Sequence, residues 1–455
     1  MSSQNRAAVV MTDKTVVEKA FSIVVVGFVR SIVDFGIAHN ASAIYALSKR
    51  LGAEFSTTLL DVSDICKSGV SWYGCRKADL QDAAPVNASS FALPNATTSL
   101  YVYCMPLDLF PAVFRDFTSD ISDAIARPNA HNMLYAPWEL EKCSNAIHRL
   151  YKRFFRDDSA RVGSNWSFCT VSTFSKSVFD TILSEATSQT KRCFVFAVPA
   201  RDVASLCNRK QRCVTGDTKT WVVSFAMDFC SGFERKNPFA AVDAFVQSLQ
   251  SEDGSTGNKS DRQPVFSLKT SNFGKMSAAF RQYWCAQWTR RVQQNATRAQ
   301  FVWQDADWTR EAYLEWLSEC DVYISLHRSE GFGFTLFEAM ALGKPCVATR
   351  YGGNTDFMTE QNSLLVKYQM TEVSKRAARC YRFKGARWAE PDVAEAVNAL
   401  QTLRLRPNLA AEIGLRAREH IRQDWSLESR AAVWKKLFYT TVHKDNANTS
   451  HSTNF

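Results

Sequence analysis

Short apolar runs alternate with longer amphipathic segments along most of the chain. Runs of about four to eight apolar, often β-branched residues indicate buried strands, whereas apolar positions recurring every three or four residues indicate helices. Strands are predicted at residues 21–27, 55–60, 100–104, 133–140, 167–173, 221–228, 264–269, 299–303, 321–327 and 346–349. Helices are predicted at residues 141–156, 238–249, 276–294, 309–318, 335–342, 392–403, 409–419 and 427–442. This alternation predicts an α/β architecture built on parallel sheets.

The predicted elements fall into two sets, and 455 residues suit two domains of roughly 200 residues each. The first set occupies residues 20–198 and the second residues 221–424, with a polar linker at 199–220 between them. A closing helix is expected at 425–442, and the polar ends, 1–19 and 443–455, are expected to be flexible tails. We therefore predict two Rossmann-like domains that face a cleft, with the last helix returning toward the first domain.

The stretch from Ser329 to Met340, SEGFGFTLFEAM, contains the strongest candidate chemistry. It lies between a predicted strand and a predicted helix, and ligands of parallel sheets bind beyond the carboxyl ends of strands. Glu330 precedes two glycines, which let backbone come close to a ligand. Glu338 has a second interpretation, because Thr335 to Glu338 also fits a capping box in which the glutamate only closes the helix start.

Charge and cysteine content narrow the class of protein. The chain has 55 basic and 45 acidic residues, and the difference of +10 suggests anionic partners. The basic residues are dispersed and carry no nucleic-acid-binding motif, so we predict no nucleic-acid partner. The 13 cysteines include no C-x-x-C spacing, which disfavours a disulfide framework or zinc site and favours a reducing compartment.

We expect a cytoplasmic protein with, at most, peripheral membrane contact. The longest apolar run, residues 21–29, is far shorter than the roughly 20 residues of a membrane-spanning helix. The basic helix predicted at 141–156 interleaves aromatic with cationic residues and is a candidate for lying on anionic lipid. An ordinary amphipathic surface helix explains the same pattern.

Several separated blocks, in the correct order, resemble the retaining glycosyltransferases of family 4, which have the two-domain GT-B fold. The similarity is greatest to bacterial polysaccharide-type members. In the second half the blocks are FAMDFCSGFERKNPFAAVDAF at 225–245, DVYISLHRSEGFGFTLFEAMALGKPCVATRYGGNTDFM at 321–358 and ARWAEPDV at 386–393. In the first half only MLYAPWELEK at 133–142 and SFCTVSTFSKSVFD at 167–180 are similar.

The resemblance implies a donor site for a nucleotide-diphosphate sugar. It implies that Glu330 contacts the hydroxyls of the donor sugar and that Glu338 bonds the ribose. The basic pair Arg235 and Lys236 is expected to bind the diphosphate. The loop that follows Glu330 is expected to hold sugar and phosphates, and its members are Gly331, Phe332, Gly333, Phe334, Thr335 and Leu336. Fixed cations stabilise a leaving diphosphate without a metal, so we predict no metal site and no required cofactor.

The acceptor side departs from the family pattern. The Gly-rich turn after the first strand is reduced to Gly27, Arg30 and Gly36 as candidate remnants. At the end of the predicted strand 133–140, Trp138 and Glu139 stand where many members have a histidine. Glu139 is our candidate for contact with the acceptor or reacting sugar, and capping of the next helix is its alternative role.

The resemblance implies transfer of a hexose, with retention, to a glycan or lipid-linked acceptor, as in polysaccharide biosynthesis. Attack from the front face, assisted by the leaving phosphate, needs no dedicated protein base. The competing hypothesis is a non-catalytic GT-B protein that binds nucleotide or glycan without turnover.

Overall fold

The computed structural model describes residues 21–27, 43–61, 98–105, 110–115, 126–157, 166–186, 192–198, 203–209, 219–249, 262–380 and 385–442. The chain divides into two compact units. Unit 1 comprises residues 1–71, 76–201 and 427–455, and unit 2 comprises residues 72–75 and 202–426. The predicted tails lie outside the described residues.

Unit 1 is built on a six-stranded parallel sheet. Its strands are β1 (Phe21–Gly27), β2 (Phe55–Asp61), β3 (Thr98–Cys104), β4 (Ala130–Tyr135), β5 (Trp166–Thr170) and β6 (Arg192–Val195), in the order β2-β1-β3-β4-β5-β6. Its helices include residues 43–48 and α1 (Phe110–Arg115), α2 (Asn145–Asp157) and α3 (Thr173–Ala186). The described side chains of the inner strands are almost all buried, since helices cover both faces of such a sheet.

The strand predicted at 133–140 is shifted in the structure. β4 ends at Tyr135, two residues before Pro137, which has no N–H to donate to a sheet. Trp138 and Glu139 therefore lie in a loop instead of at a strand end, and His131 lies inside the strand, where it is buried. The following helix begins at Asn145, later than predicted, and Ser144 caps it by accepting from the Ile147 N–H at 3.2 Å.

The last helix, α13 (Leu427–Val442), belongs to unit 1, which confirms the predicted return toward the first domain. Trp434 is fully buried and donates to the Ser48 hydroxyl at 2.9 Å. Phe438 packs edge-on against Phe21 and Phe55 at centroid distances of 5.4 and 5.0 Å. The chain thus completes its first core with its last helix.

Unit 2 contains a second six-stranded parallel sheet. Its strands are β7 (Thr220–Asp228), β8 (Gln263–Ser271), β9 (Gln300–Asp305), β10 (Val322–Ser325), β11 (Cys346–Thr349) and β12 (Leu364–Val366), in the order β12-β11-β10-β7-β8-β9. A hairpin of β13 (Tyr368–Glu372) and β14 (Arg387–Pro391) forms a separate antiparallel pair.

Helices surround this second sheet. They are α4 (Val203–Asn208), α5 (Phe233–Lys236), α6 (Pro238–Ser248), α7 (Ala278–Asn295), α8 (Arg310–Ser318), α9 (Phe334–Ala341), α10 (Lys375–Cys380), α11 (Val393–Leu405) and α12 (Pro407–Asp424). Of these, α4 lies within the segment predicted as linker. Most predicted bounds agree with the structure to within a few residues. The elements that the pattern did not predict include β6, β12, α1, α3 and the hairpin with α10.

Each sheet reverses its direction of growth beside its first strand. In unit 2, β7 pairs with β8 on one side and with β10 on the other. The strands β8 and β9 therefore extend the sheet in one direction, and β10, β11 and β12 extend it in the opposite direction. In unit 1, β1 has the same position between β2 and β3. Ligands of open α/β sheets bind at such switch points, outside the carboxyl ends of the strands. This edge of unit 2 receives the segments after β7 and β10.

Candidate active site

The turn after β7 presents the two predicted cations. Gly232 has φ 90° and Asn237 has φ 53°, so left-handed residues bound the short helix α5 on both sides. Glycine and asparagine tolerate this conformation best. The Asn237 side chain donates to the Leu326 carbonyl at 2.9 Å, which ties the turn to the segment after β10. Arg235 and Lys236 are thereby held on the β10 side of the turn.

Glu330 lies between these cations and is almost completely buried. Its Oε2 is 3.1 Å from Arg235 Nη1, and its Oε1 accepts a hydrogen bond from Lys236 Nζ. Arg235 also donates to the carbonyls of Ser329, at 2.8 Å, and Ser231, at 2.7 Å. The three side chains are therefore in direct contact within unit 2, although the sequence assigned them to separate parts of a donor and did not predict this contact.

The protonation state of Glu330 follows from this environment. Burial alone raises the pKa of the carboxyl group, but the charges of Lys236 and Arg235 outweigh it and lower the pKa to about 2. The carboxylate is ionised at neutral pH and accepts hydrogen bonds. Two cations and one carboxylate leave one net positive charge, which suits an anionic ligand.

The backbone of Glu330 and Gly331 rests directly on a second glycine pair. A Cβ on Gly352 would lie 2.6 Å from the Glu330 carbonyl oxygen, and one on Gly353 would lie 1.9 Å from the Gly331 oxygen. The Gly353 N–H donates to the Glu330 carbonyl at 2.7 Å. Only glycine permits this approach, so the loop after β11 fixes the position of the central glutamate.

His327 is a neutral side chain that contacts residues on both sides of the Gly352–Gly353 pair. It is fully buried, and burial lowers its pKa. Its Nε2 is 3.0 Å from the Tyr351 carbonyl oxygen and 3.1 Å from Asn354 Oδ1, so this nitrogen carries the proton. Its Nδ1 then accepts from the Ser325 hydroxyl at 3.1 Å. The histidine positions the glycine loop and does not supply charge.

Glu338 faces a different partner. It is buried on α9, and its Oε1 accepts from the Arg310 guanidinium at the start of α8. α9 begins at Phe334 with Gly333 as its N-cap and without a side-chain cap. The predicted helix start at Thr335 is therefore one residue late, and the capping-box alternative is wrong because Thr335 is inside the helix.

The loop between the two glutamates presents its backbone more than its side chains. Phe332 packs into an aromatic cluster, 5.0 Å from Phe357 and 5.6 Å from Trp425, and Leu336 is also buried. Phe334 and Thr335 are half-buried. Gly333 has φ 94°, which turns the chain into α9. A donor contact by this loop would come through its N–H groups, as the resemblance implies for Gly333–Leu336.

The acceptor-side candidates belong to unit 1. Gly27 ends β1 and is aligned across the sheet with Cys104 of β3, which is aligned with Tyr135 of β4. The loop that carries Trp138 and Glu139 therefore starts at the same sheet edge as Gly27. Trp138 is buried, and its carbonyl accepts from the Ser175 hydroxyl at 2.6 Å. Arg30 and Gly36 lie outside the described residues.

Ser144 is a side-chain cap of α2, through the bond from the Ile147 N–H. Glu139 itself is half-buried. Contact of Glu139 with the acceptor or reacting sugar stays a prediction.

The aromatic side chains of α2 do not form a lipid-facing surface. Tyr151 and Phe154 are buried, and Phe155 packs 6.0 Å from Phe168 of β5. The cationic residues Lys152 and Arg153 remain exposed. The interleaved sequence pattern thus separates into a core face and a polar face, and the membrane interpretation of this helix receives no support.

Within the described part of the chain, no group of three or more His, Cys, Asp or Glu side chains is arranged to hold a metal ion. The absence of a metal requirement stays a prediction. Among those same residues, no helix is long and apolar enough to span a membrane. The nine cysteines whose side chains are described are free thiols.

Solved structures establish the class of fold. An α,α-trehalose-phosphate synthase (UDP-forming) from Burkholderia vietnamiensis aligns with a TM-score of 0.56 at 10% identity, covering 94% of this chain and 99% of that one. A trehalose-6-phosphate structure from E. coli, bound with UDP-2-fluoro glucose, aligns with a TM-score of 0.55 at 11% identity, covering 92% and 98%. The chain therefore has the GT-B fold of two Rossmann-like domains, which confirms the predicted fold class.

The match to a sequence family is more local. Residues 281–382 match glycosyl transferases group 1, a segment that includes Glu330 and Glu338. A mutant of S. aureus TarM, in complex with fondaparinux, α-GlcNAc-glycerol and UDP, aligns with a TM-score of 0.47 at 14% identity, too low to establish a shared fold. The chain spans 55% of that structure. No curated protein is a significant sequence match.

Together these findings confirm the resemblance to GT-B glycosyltransferases. Membership of family 4 in particular stays a prediction.

Sequence reasoning missed four residues that organise the site. Gly352 and Gly353 were visible as a glycine pair just after a predicted strand, a signal of close backbone approach. Asn237 directly precedes Pro238 at a predicted helix start, and asparagine is a residue that tolerates the left-handed conformation found there. Arg310 gave no local signal, because its partner Glu338 is distant in sequence.

Proposed function

We propose that this protein transfers a sugar from a nucleoside diphosphate donor to a glycan or lipid-linked acceptor. The observation that carries the proposal is the buried, ionised Glu330 held between Arg235 and Lys236 at the switch point of unit 2. Such a group combines an acceptor for sugar hydroxyls with cations for phosphate in one place. The match of residues 281–382 to glycosyl transferases group 1 supports the same reaction class.

Each side chain has a definite task in this proposal. Glu330 accepts hydrogen bonds from the donor sugar and so orients the carbon that reacts. Lys236 and Arg235 bind the diphosphate, and their charges stabilise it more as it leaves, because negative charge grows on it when the glycosidic bond breaks. Glu338, held by Arg310, bonds the ribose.

We further propose that the transferred sugar is a hexose and that its configuration is retained. The departing phosphate then accepts the acceptor proton on the same face of the sugar, so no protein base is needed there. Glu139, in unit 1, is the proposed contact to the acceptor or reacting sugar.

A sugar-nucleotide panel tests this proposal directly. The full chain is incubated with UDP-, GDP- and ADP-hexoses, with and without candidate acceptors, and nucleotide release is measured. We expect release from at least one donor, and we expect Glu330→Gln to reduce it by about 100-fold or more. Glu360→Gln is the control, since Glu360 is exposed and pairs with Arg350 at the surface.

Near-normal turnover by Glu330→Gln would contradict the assignment of this residue. Nucleotide binding without turnover on any donor would favour the non-catalytic alternative.

A further inference from the structure

The elements β13, α10 and β14, together called the hairpin module, stand beside the turn after β7 with a cleft between them. The volume of the cleft is about 610 Å³. Its walls come from the turn, from the start of α7, and from α10 with β14. Packed side chains therefore do not fill the space between the turn and the hairpin module, and their attachment depends on the polar contacts that bridge them.

Glu234, on the turn, makes the first of these bridges with the start of α10. Its Oε1 is 3.2 Å from Arg376 Nε, and its Oε2 accepts from the Ser374 hydroxyl. The same hydroxyl caps α10 by accepting from the Ala377 N–H at 3.1 Å. The Arg376 guanidinium also lies 4.9 Å from the Phe280 ring centroid. Both oxygens of one carboxylate thus hold the start of α10 against the turn.

Arg328, in the segment after β10, makes the second bridge. Its guanidinium donates to the Glu390 carboxylate of β14, at 2.9 Å through Nη2, and to the Glu234 carbonyl at 2.6 Å. Its N–H donates to the Arg235 carbonyl at 2.7 Å, and its own carbonyl accepts from the Ala389 N–H at 2.9 Å. Arg328 therefore fixes the main chain of the turn, and Glu390 holds the Arg328 side chain in place.

Both bridges meet the main chain that carries Lys236, one of the two cations proposed to bind phosphate. Lys236 directly follows the two carbonyls that Arg328 bonds, and its N–H donates to the Gly232 carbonyl at 3.0 Å. A cation that is already held in place loses less conformational entropy when a ligand binds, so it contributes more to affinity. The contacts of Glu234 and Glu390 supply this preorganisation.

We propose that Glu234 and Glu390 are positioning residues for the donor diphosphate, and that the hairpin module thereby sets the affinity of the turn for nucleotide. The charges of these two carboxylates oppose an anionic ligand, so any favourable contribution must come through the position of Lys236. The inference rests on the proposed binding of a nucleoside diphosphate at this turn and adds the residues that prepare it.

Removal of either carboxylate tests the proposal through the direction of the change in affinity. Loss of a negative charge near the site would, by charge alone, strengthen binding of an anion. A loosened turn weakens it, because Lys236 must then be ordered by the ligand. The full chain is titrated calorimetrically with UDP, GDP and ADP. We expect Glu234→Ala and Glu390→Gln each to weaken nucleotide binding by about three- to tenfold.

Asp243→Asn is the matched control for Glu390→Gln. Arg291 makes the same kind of two-pronged contact to the Asp243 carboxylate, at 2.7 and 3.0 Å, and joins α7 to α6. The two carboxylates have nearly equal side-chain exposures, 40% for Asp243 and 39% for Glu390. We expect Asp243→Asn to bind nucleotide like the wild type.

A second comparison asks whether Glu390 acts through Lys236. In Lys236→Ala the cation that Glu390 helps to position is gone, so adding Glu390→Gln should weaken nucleotide binding by less than about twofold further. A general structural effect, such as partial unfolding, would persist undiminished in this background. Thermal melting of each variant without ligand measures that effect separately.

Unchanged or tighter nucleotide binding by either carboxylate variant would overturn the inference and leave the proposed function intact. Equal weakening by Asp243→Asn, or an undiminished effect of Glu390→Gln in Lys236→Ala, would do the same. Absence of binding by the wild type to UDP, GDP and ADP would instead refute the proposed donor site, and this inference with it.

Discussion

Glu330 is ionised because two cations from a different strand end surround it. The sequence places Arg235 and Lys236 almost a hundred residues earlier, and the neighbouring positions of β7 and β10 bring the three side chains together. Within a buried site, a carboxylate without these partners would protonate or destabilise the fold. The contacts of Glu330 with Arg235 and Lys236 therefore contribute to stability.

The stability of the chain should depend on pH through this residue. The pKa of Glu330 is lowered from 4.5 to about 2 in the folded state, so its ionisation stabilises the fold above pH 4.5 and the contribution is lost as pH falls toward 2. At pH 7 the contribution is about 3 kcal/mol. Urea denaturation of wild type and Glu330→Gln at several pH values measures it.

We expect the variant to be less stable at pH 7 and the difference to shrink steadily below pH 4.5. A difference that is independent of pH would show that Glu330 is not ionised by its partners. Stability is lost because Glu330→Gln leaves two buried cations without their carboxylate.

Gly353 is the second residue on which the site depends. Alanine there would place its Cβ 1.9 Å from the Gly331 backbone oxygen, so the two loops must separate. We expect Gly353→Ala to lower stability by about 1–3 kcal/mol and to weaken UDP binding by at least about tenfold. Gly274→Ala is the control, since nothing lies within 4 Å of a Cβ at that position. Equal effects of the two variants, by thermal melting and calorimetry, would exclude a positional role for Gly353.

At the scale of elements, the hairpin β13–β14 is fastened to the turn after β7 by one arginine. Arg328 makes a two-pronged contact to the Glu390 carboxylate, at 2.5 and 2.9 Å, and donates to the Glu234 carbonyl at 2.6 Å. Its own N–H donates to the Arg235 carbonyl at 2.7 Å. The end of β10, the turn after β7 and the hairpin are thus joined through a single residue, Arg328.

Glu390→Gln should loosen the hairpin without disturbing the sheet. Loss of one charged partner from this contact is expected to cost about 1–2 kcal/mol locally. Hydrogen exchange of residues 368–372 and 387–391 should become faster, while β7 and β10 stay protected. Glu360→Gln, which breaks the exposed pair with Arg350, is expected to leave the hairpin unchanged. Unchanged exchange in Glu390→Gln would show that Arg328 does not fasten this element.

Elements differ in how far local sequence determines them. β1, β11 and α13 agree with their predicted bounds because uniform apolar runs or a regular helical period define them. β4 was predicted too long because MLYAPWEL remains apolar past Pro137, where pairing stops. The sequence did not show which aromatic side chains of α2 are buried and which face solvent. Their burial depends on packing against Phe168 and the rest of the core.

The same distinction holds for the site. Glu330 and the basic pair follow from local motifs and family resemblance. The glycine pair at 352–353 is visible locally, but its partner Gly331 is not, because the contact depends on long-range packing. The contact of Arg310 with Glu338 depends on long-range packing and carries no local pattern. The cleft beside Arg235 needs three separated segments, so only the structure reveals it.

At the scale of the whole molecule, each unit repeats one arrangement. Both have a six-stranded parallel sheet with a switch point beside the first strand. The described candidate residues of each unit lie at or after the carboxyl ends of its strands. The ion-paired residues Glu330, Arg235 and Lys236 belong to unit 2. The acceptor-side candidates Gly27, Trp138 and Glu139 belong to unit 1. This distribution fits the proposed division, with donor contacts in unit 2 and acceptor contacts in unit 1.

Binding of a nucleoside diphosphate to unit 2 is the central claim. Calorimetric titration of the full chain with UDP, GDP and ADP tests it most directly, using the wild type, Lys236→Ala and the control Lys367→Ala, whose side chain is 76% exposed. We predict one binding site for at least one of these nucleotides, at least about tenfold weaker binding by Lys236→Ala, and no change in Lys367→Ala. Absence of binding by all three nucleotides, or equal affinity of wild type and Lys236→Ala, would contradict the account.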